Sequence, residues 1–234
     1  MRRRALVGAA CLLALVACAP SAPDAAPSEQ PSAVTSAPSG PSAPATPGGA
    51  AAALAGLPVK GRAPMTGYSR AQFGPAWKDV DHNGCDTRND ILRRDLTAQV
   101  LSGSCVVLSG TLRDPYTGGV IAFRRGPGTS TAVQIDHVVA LGDAWQKGAQ
   151  QLTPGVRLAL ANDPLELLAV DGPTNERKGD GDAATWLPPN KAFRCQYVAR
   201  QVAVKVRYHL WVTAAERDAI ARVLSSCPGQ PLPT

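Results

Sequence analysis

Three absences limit what this chain of 234 residues can be. Its apolar stretch from Ala5 to Ala17 is too short to cross a bilayer as a stable helix, which needs roughly 20 residues. No Cys-x-x-Cys pair occurs, which argues against a zinc site with the usual cysteine spacing. Histidine is scarce, so any histidine-based chemistry depends on His82, His137 or His209.

The N-terminus has the pattern of an export signal, with Arg2, Arg3 and Arg4 ahead of the apolar stretch. The stretch ends in Leu-Val-Ala-Cys, with the cysteine at position 18, and resembles the lipobox of bacterial lipoproteins. In those proteins the peptide is cut before a cysteine that then carries the lipid. We predict a lipoprotein signal peptide over residues 1–18 and a membrane anchor at Cys18. The alternative is an ordinary signal with a chance cysteine.

Residues 19–58 consist almost wholly of Ala, Pro, Ser, Gly and Thr, with only Asp24 and Glu29 charged. Such a composition predicts a disordered linker that holds a domain away from a surface. One globular domain of about 170 residues then follows over 59–228. It carries about five excess positive charges, which permits a polyanionic partner without requiring one.

Four cysteines fall in this domain, and an even number in an exported domain suggests two disulfides. Four cysteines allow three pairings. We predict the pairing of nearest neighbours, Cys85 with Cys105 and Cys195 with Cys227.

Hydrophobic periodicity predicts an α+β domain with short strands. Predicted helices cover Asn89–Leu101, Leu141–Gln150, Lys191–Tyr208 and Ala214–Ser225. The last follows a Thr213 cap with Glu216 three residues later, which predicts a capping box. Predicted strands cover Cys105–Leu108, Val120–Phe123, Val133–Val139 and Leu165–Val170.

An acidic segment nearly matches the calcium loop of EF-hands, with Asp90 where glutamate is usual. Oxygens at alternate positions can converge on one hard cation. The sequence therefore permits a structural calcium site, and the alternative is an acidic turn pinned by a disulfide. The four candidate ligands are Asp79, Asp81, Asn83 and Asp90.

Three strings carry a family resemblance: IDHVVALGDAW, LLAVDGPTNERKGD and WLPPNKAFRCQYVARQVAVK. They resemble the HNH (ββα-metal) nuclease domain at the C-terminus of GmrSD-type restriction enzymes, and more closely its secreted actinobacterial relatives. The similarity runs from about Gly67 to Cys227. It implies a disulfide-stabilised ββα-metal core with additional helices.

The resemblance also assigns roles. Asp136 and Asn175 would bind one divalent cation, most plausibly magnesium, with manganese as the alternative. His137 would take the proton from the attacking water, because neutral imidazole is the side chain suited to this near neutral pH. Lys178 would face the same phosphate. The alternative for His137 is a core histidine beside a capping Asp136.

One position departs from the family pattern. Glu166 stands nine residues before Asn175, where HNH domains carry an asparagine that braces the loop between the strands. A carboxylate cannot donate the hydrogen bonds of an amide, so the brace is expected to be altered unless Asn162 substitutes for it. On this reasoning, Glu166→Asn should raise activity.

The sequence thus predicts an exported endonuclease that cleaves DNA, with RNA as a further substrate, and that has no evident protein partner. Arg88, Arg194 and Arg200 are candidate phosphate contacts, although a solvated basic face is the alternative. The competing hypothesis is a cation-binding surface lipoprotein that keeps a degenerate HNH fold without catalysis, and Glu166 is the residue that favours it.

Overall fold

The computed structural model describes residues 49–234, so the predicted signal peptide, Cys18 and most of the linker lie outside the described part. Within that part, no helix is long and apolar enough to cross a membrane. The mixture of helices and short strands confirms the predicted α+β class. In chain order the elements are α1 Ala50–Ala55, α2 Thr87–Asp95, β1 Leu96–Ser102, β2 Val106–Arg113, β3 Val120–Arg124, β4 Val133–His137, α3 Leu141–Gln146, α4 Pro154–Asn162, β5 Leu167–Asp171, α5 Gly172–Lys178, α6 Arg194–Arg207 and α7 Ala214–Ser225.

The folded part begins inside the predicted linker. Helix α1 buries Ala50 and Leu54 in the main core. Just before it, Gly49 forms a β-bridge with Pro231, which lies beyond the predicted domain end at residue 228. Alanine-rich composition suggested disorder here, but alanine is also the strongest helix former, and Leu54 supplies a buried anchor. Residues 49–55 of the predicted linker therefore pack against the rest of the described chain.

Strands β1, β2 and β3 form one antiparallel sheet in that order. The sequence predicts β3 and the start of β2 correctly, but it predicts a helix as far as Leu101. Instead α2 ends at Asp95, and Leu96 pairs with Leu112 across the sheet. Both leucines are buried in the same core. Apolar spacing typical of a helix is overridden here by cross-strand pairing.

Strands β4 and β5 form a separate antiparallel pair, and α5 begins directly after β5. No third strand pairs with the outer edge of β5 in the described part of the chain. Side chains of α2 form hydrogen bonds with the backbone there instead. The Asp95 carboxylate accepts from the Ala169 N–H at 2.9 Å, and the Leu167 carbonyl accepts from the Arg94 guanidinium at 2.7 Å. Backbone groups that would otherwise lack partners are thereby paired.

Two hydrophobic cores hold these elements together. The larger unites α1, α3, α4, α6 and α7, and the smaller packs α2 and the three-stranded sheet against β4 and β5. Strand β5 lies where the two cores meet, because Leu167 and Ala169 belong to the smaller one and Leu168 and Val170 to the larger.

A buried network of ion pairs crosses the larger core. Its two lysines are fully buried and lie 2.6–3.5 Å from three buried carboxylates. The six members, three of each sign, are Arg62, Asp143, Lys147, Asp182, Lys205 and Glu216.

One member of this network corrects a detail of the sequence analysis. The Thr213 hydroxyl accepts from the Glu216 N–H at 3.2 Å, which confirms the predicted N-cap of α7. The Glu216 carboxylate does not complete a reciprocal capping box. It points inward and accepts from Lys147 at 2.7 Å instead.

Both predicted disulfides are present, Cys85–Cys105 and Cys195–Cys227. The first closes a sequence separation of 20 residues and the second one of 32.

Reduction of both bridges should destabilise the domain by about 3 kcal/mol per bridge, because each closes a loop that restricts the unfolded chain. The free energy of unfolding from urea titrations with and without reductant measures this. Two double variants, one with Cys85→Ser and Cys105→Ser and one with Cys195→Ser and Cys227→Ser, separate the contributions of the two bridges. Equal stability of oxidised and reduced protein would contradict the prediction.

Candidate active site

The alternation of β4 places the two motif residues on opposite faces of the strand. Gln134 and Asp136 face α5, where Asn175 Nδ2 donates to Gln134 Oε1 at 2.8 Å and Lys178 reaches Asp136. His137 faces the other way, towards the carbonyl end of α4. The four residues to which the resemblance assigns catalysis therefore gather around one strand end, but they do not converge on a single point.

His137 is 8% exposed, and its Nε2 lies 3.0 Å from the carbonyl oxygen of Ala161. A carbonyl can only accept, so Nε2 carries the proton and Nδ1 keeps its lone pair. Burial lowers the pKa of His137 to about 3, and the positive charges of Arg70 and Lys178 add to the effect. The imidazole is therefore neutral at neutral pH, with Nδ1 as the proton acceptor.

A cavity of about 240 Å³ opens beside His137. One wall is the segment 70–77, and the other comes from the start of α3 and the end of α4. The Trp77 indole lies nearly parallel to the His137 ring, with an interplanar angle of 18° and centroids 6.1 Å apart. The lining residues are Arg70, Ala71, Phe73, Gly74, Pro75, Ala76, Trp77, His137, Leu141, Ala161 and Asn162.

Asp136 is held from two sides. Lys178 Nζ lies 2.9 Å from Oδ1 and 2.8 Å from Oδ2, and it also donates to the His137 carbonyl at 2.6 Å. The Tyr116 hydroxyl donates to Oδ2. Burial, and then the neighbouring Asp136 charge, raise the pKa of Tyr116 well above its usual value, so the phenol stays protonated and serves as a donor. Tyr116 is a site residue that the sequence analysis missed.

This arrangement does not fit a preformed magnesium site. Both oxygens of Asp136 are engaged by donors, and a divalent ion there would have to displace a buried ammonium group of the same charge sign. Within residues 49–234, no group of three or more His, Cys, Asp or Glu side chains is arranged to hold a metal ion. The assignment of Asp136 and Asn175 as metal ligands stays a prediction.

Glu166 makes a brace, although not in the way the sequence analysis expected. Its Oε2 accepts from the Val139 N–H at 3.1 Å, two residues after His137. Burial raises the pKa of Glu166 well above its usual value. Its other oxygen, Oε1, is buried without a hydrogen-bond partner among the described residues, so the brace is a single accepted bond. Asn162 does not substitute for the brace, because its Nδ2 donates to the Leu158 carbonyl within α4 at 3.0 Å.

The geometry reverses the expected effect of Glu166→Asn. Asparagine is one methylene shorter, so we expect it to lose the bond to Val139 and to lower activity. Glu166→Gln keeps the length and the acceptor oxygen that bonds the Val139 N–H, and it should retain both activity and stability. Cleavage rates of the two variants at equal protein concentration provide the measurement. A faster Glu166→Asn would restore the original view of Glu166 as a defect.

The acidic loop folds on its own hydrogen bonds. Asp79 Oδ2 accepts from the Gly84 N–H at 3.0 Å, and Asn83 Nδ2 donates to Asp81 Oδ2 at 3.0 Å. Burial and nearby acids raise the pKa of Asp90, although hydrogen bonding from Asn83 opposes this. The loop is thus a turn fastened by Cys85, and calcium binding by it stays a prediction.

The three arginines predicted as phosphate contacts each donate to a backbone carbonyl of the domain. Arg88 Nη2 lies 3.2 Å from the Val133 oxygen, Arg200 Nη1 lies 3.3 Å from that of Leu167, and Arg194 Nε lies 2.8 Å from that of Pro188. Arg88 and Arg200 therefore support β4 and β5 from outside the His137 cavity.

The buried state of His137 predicts a pH dependence of stability. Its folded pKa of about 3 lies below the value of about 6.5 in an unfolded chain, so the unfolded state binds more protons between these values. The titration of His137 therefore leaves the free energy of unfolding unchanged above about pH 6.5. Below that pH, the free energy of unfolding falls by about 1.4 kcal/mol for each pH unit. Urea titrations of wild type and His137→Gln from pH 7 to 4 test this. A constant difference between them would contradict it.

Comparison with known proteins agrees with the motif strings. Residues 86–223, more than half of the chain, match the family model of the C-terminal domain of GmrSD restriction endonucleases. An uncharacterized secreted protein of Arthroderma benhamiae is 38% identical over 180 residues, which cover 76% of this chain and 84% of that protein. No solved structure matches. The chain belongs to the family of GmrSD restriction endonuclease C-terminal domains.

Proposed function

We propose that this protein is an endonuclease that hydrolyses phosphodiester bonds of DNA, and of RNA as a further substrate, with His137 as the general base. The family supports a nuclease-like function. We further propose that β4, β5 and α5 are the ββα core of the HNH fold, since two antiparallel strands lead directly into a helix that carries Asn175 and Lys178.

The position of His137 is the observation that carries this proposal. A general base must be neutral, fixed in orientation and open to water. The bond between Nε2 and the Ala161 carbonyl fixes the ring, burial keeps it neutral, and the cavity borders the ring.

In the proposed reaction, the oxygen of a water molecule attacks phosphorus while one of its protons passes to Nδ1 of His137. The bond from phosphorus to the 3′ oxygen breaks, and the departing oxygen takes a proton from solvent. Lys178 acts as a positioning residue, because its ammonium group holds both Asp136 and the His137 carbonyl at the end of β4.

A magnesium or manganese ion stays a prediction, and no step above depends on one. When bound, such an ion would stabilise the negative charge of the phosphoryl group and the leaving oxygen. The second candidate is a non-catalytic lipoprotein with the same fold. The ion pair between Asp136 and Lys178 supports its lack of metal-assisted catalysis, because Lys178 occupies the expected metal ligand, but it does not support cation binding at Asp136.

We propose that the domain acts outside the cytoplasm, on a lipid anchor at Cys18 or as a secreted protein. Two disulfides are typical of oxidising compartments. The similar protein of Arthroderma benhamiae is described as secreted.

Nicking of supercoiled plasmid DNA by the full chain tests the proposed activity. Reactions with chelator, magnesium, manganese or calcium, and a parallel set with RNA, define the substrate and the metal requirement. We expect open circles whose nicks carry a 5′-phosphate and a 3′-hydroxyl. Absence of cleavage under every condition would favour the non-catalytic candidate.

A further inference from the structure

The cavity beside His137 carries one positive charge and no negative one. We propose that Arg70 binds the scissile phosphodiester group and that the cavity between Arg70 and Trp77 is the phosphate subsite of the enzyme. This inference rests on the proposed nuclease function and adds to it a residue that lies outside the family motif strings.

Charge is the first argument. Among residues 49–234, Arg70 forms no ion pair, and no carboxylate lines the cavity. Other arginines of the domain also lack an ion pair, but within residues 49–234 Arg70 is the one charged side chain that lines this cavity. An arginine guanidinium presents a planar fork of donors that matches the oxygens of a phosphate. The cavity therefore favours an anion over a neutral or cationic ligand.

The wall that carries Arg70 is preformed. Arg157 of α4 donates from Nε to the Gln72 carbonyl at 2.7 Å, and Phe73 is buried in the main core. Gly74 has φ +80°, a conformation that favours glycine, and a Cβ there would lie 2.7 Å from the Leu158 side chain. The backbone of the wall is thus fixed before any ligand binds.

The other end of the same wall contains a strained residue. Trp77 has φ +57°, which is rare for a bulky side chain and costs free energy that the surrounding structure must offset. This conformation keeps the indole alongside the His137 ring. A cavity of about 240 Å³ is smaller than the roughly 300–1,000 Å³ that encloses a whole drug-sized ligand, so it suits one linkage of an extended polymer.

Binding measured without cleavage tests the inference. In the His137→Ala background, fluorescence anisotropy of a labelled DNA oligonucleotide reports affinity over a range of salt concentrations. Arg70→Gln should weaken binding by about ten- to hundredfold and reduce the salt slope by about one. The matched control is Arg124→Gln, an exposed arginine of β3 with the same charge change, which should have little effect. Arg70→Lys should fall between.

A second measurement uses the chain with His137 intact. Inorganic phosphate should raise the thermal unfolding temperature of wild type more than that of Arg70→Gln. Equal losses of DNA affinity in Arg70→Gln and Arg124→Gln, or equal protection by phosphate, would overturn the phosphate subsite. If DNA binding depends on Arg70 but the wild-type protein cleaves DNA under no condition, the nuclease proposal is overturned. The phosphate subsite is then retained as a binding site.

Discussion

Replacement of His137 by alanine is expected to slow DNA cleavage by about 100- to 10,000-fold, the usual contribution of a general base. The residue is the histidine whose neutral ring borders a cavity, and nothing else in that cavity can accept a proton near neutral pH. Single-turnover cleavage of a labelled oligonucleotide provides the rate, and circular dichroism and oligonucleotide binding confirm that the variant is folded.

His209→Ala is the matched control for this prediction. His209 is exposed, lies just after α6 and lines no part of the His137 cavity. The His209→Ala variant should therefore cleave DNA at the wild-type rate. A His137→Ala protein that cleaves as fast as His209→Ala would remove His137 from the mechanism.

Replacement of Lys147 by methionine is expected to destabilise the domain by about 3–5 kcal/mol, because it breaks a buried ion-pair network from its centre. Lys147 Nζ lies 2.6 Å from Asp143 and 2.7 Å from both Asp182 and Glu216. Burial by itself would raise the pKa of Asp182, but hydrogen bonding and charge from Lys147 lower it below its usual value. Without the Lys147 ammonium group, the buried carboxylates of this network would have only Arg62 and Lys205 as cationic partners.

Urea denaturation of Lys147→Met gives the change in the free energy of unfolding. The control is Arg217→Gln, which breaks the exposed pair with Asp218 and should cost at most about 1 kcal/mol. If Lys147→Met matches wild type or exceeds it, the network contributes specificity rather than stability.

Local sequence signals predicted those parts of the fold that depend on neighbours along the chain. The Thr213 cap and the strands β4 and β5 follow from composition and spacing within a few residues. Helix α4 was missed, although Thr153 caps it and Pro154 occupies its first turn, a combination that marks helix starts. That signal was available in the sequence.

The remaining differences could not be predicted locally. Leu96 leaves a helical pattern because its partner Leu112 lies across a sheet. The pairing of Lys178 with Asp136 joins residues 42 positions apart, and it changes a predicted metal ligand into half of an ion pair. Arg70 and Trp77 become site residues only because the chain brings their segment against His137.

The Cys85–Cys105 bridge makes the cavity wall depend on the redox conditions around the protein. It fastens the segment that follows Trp77, and hence the cavity wall, to the turn between β1 and β2. Disulfides rarely persist in a reducing cytoplasm, so we expect the wall to be loosely held there. In oxidising surroundings the bridge forms, and the wall beside His137 is held in place.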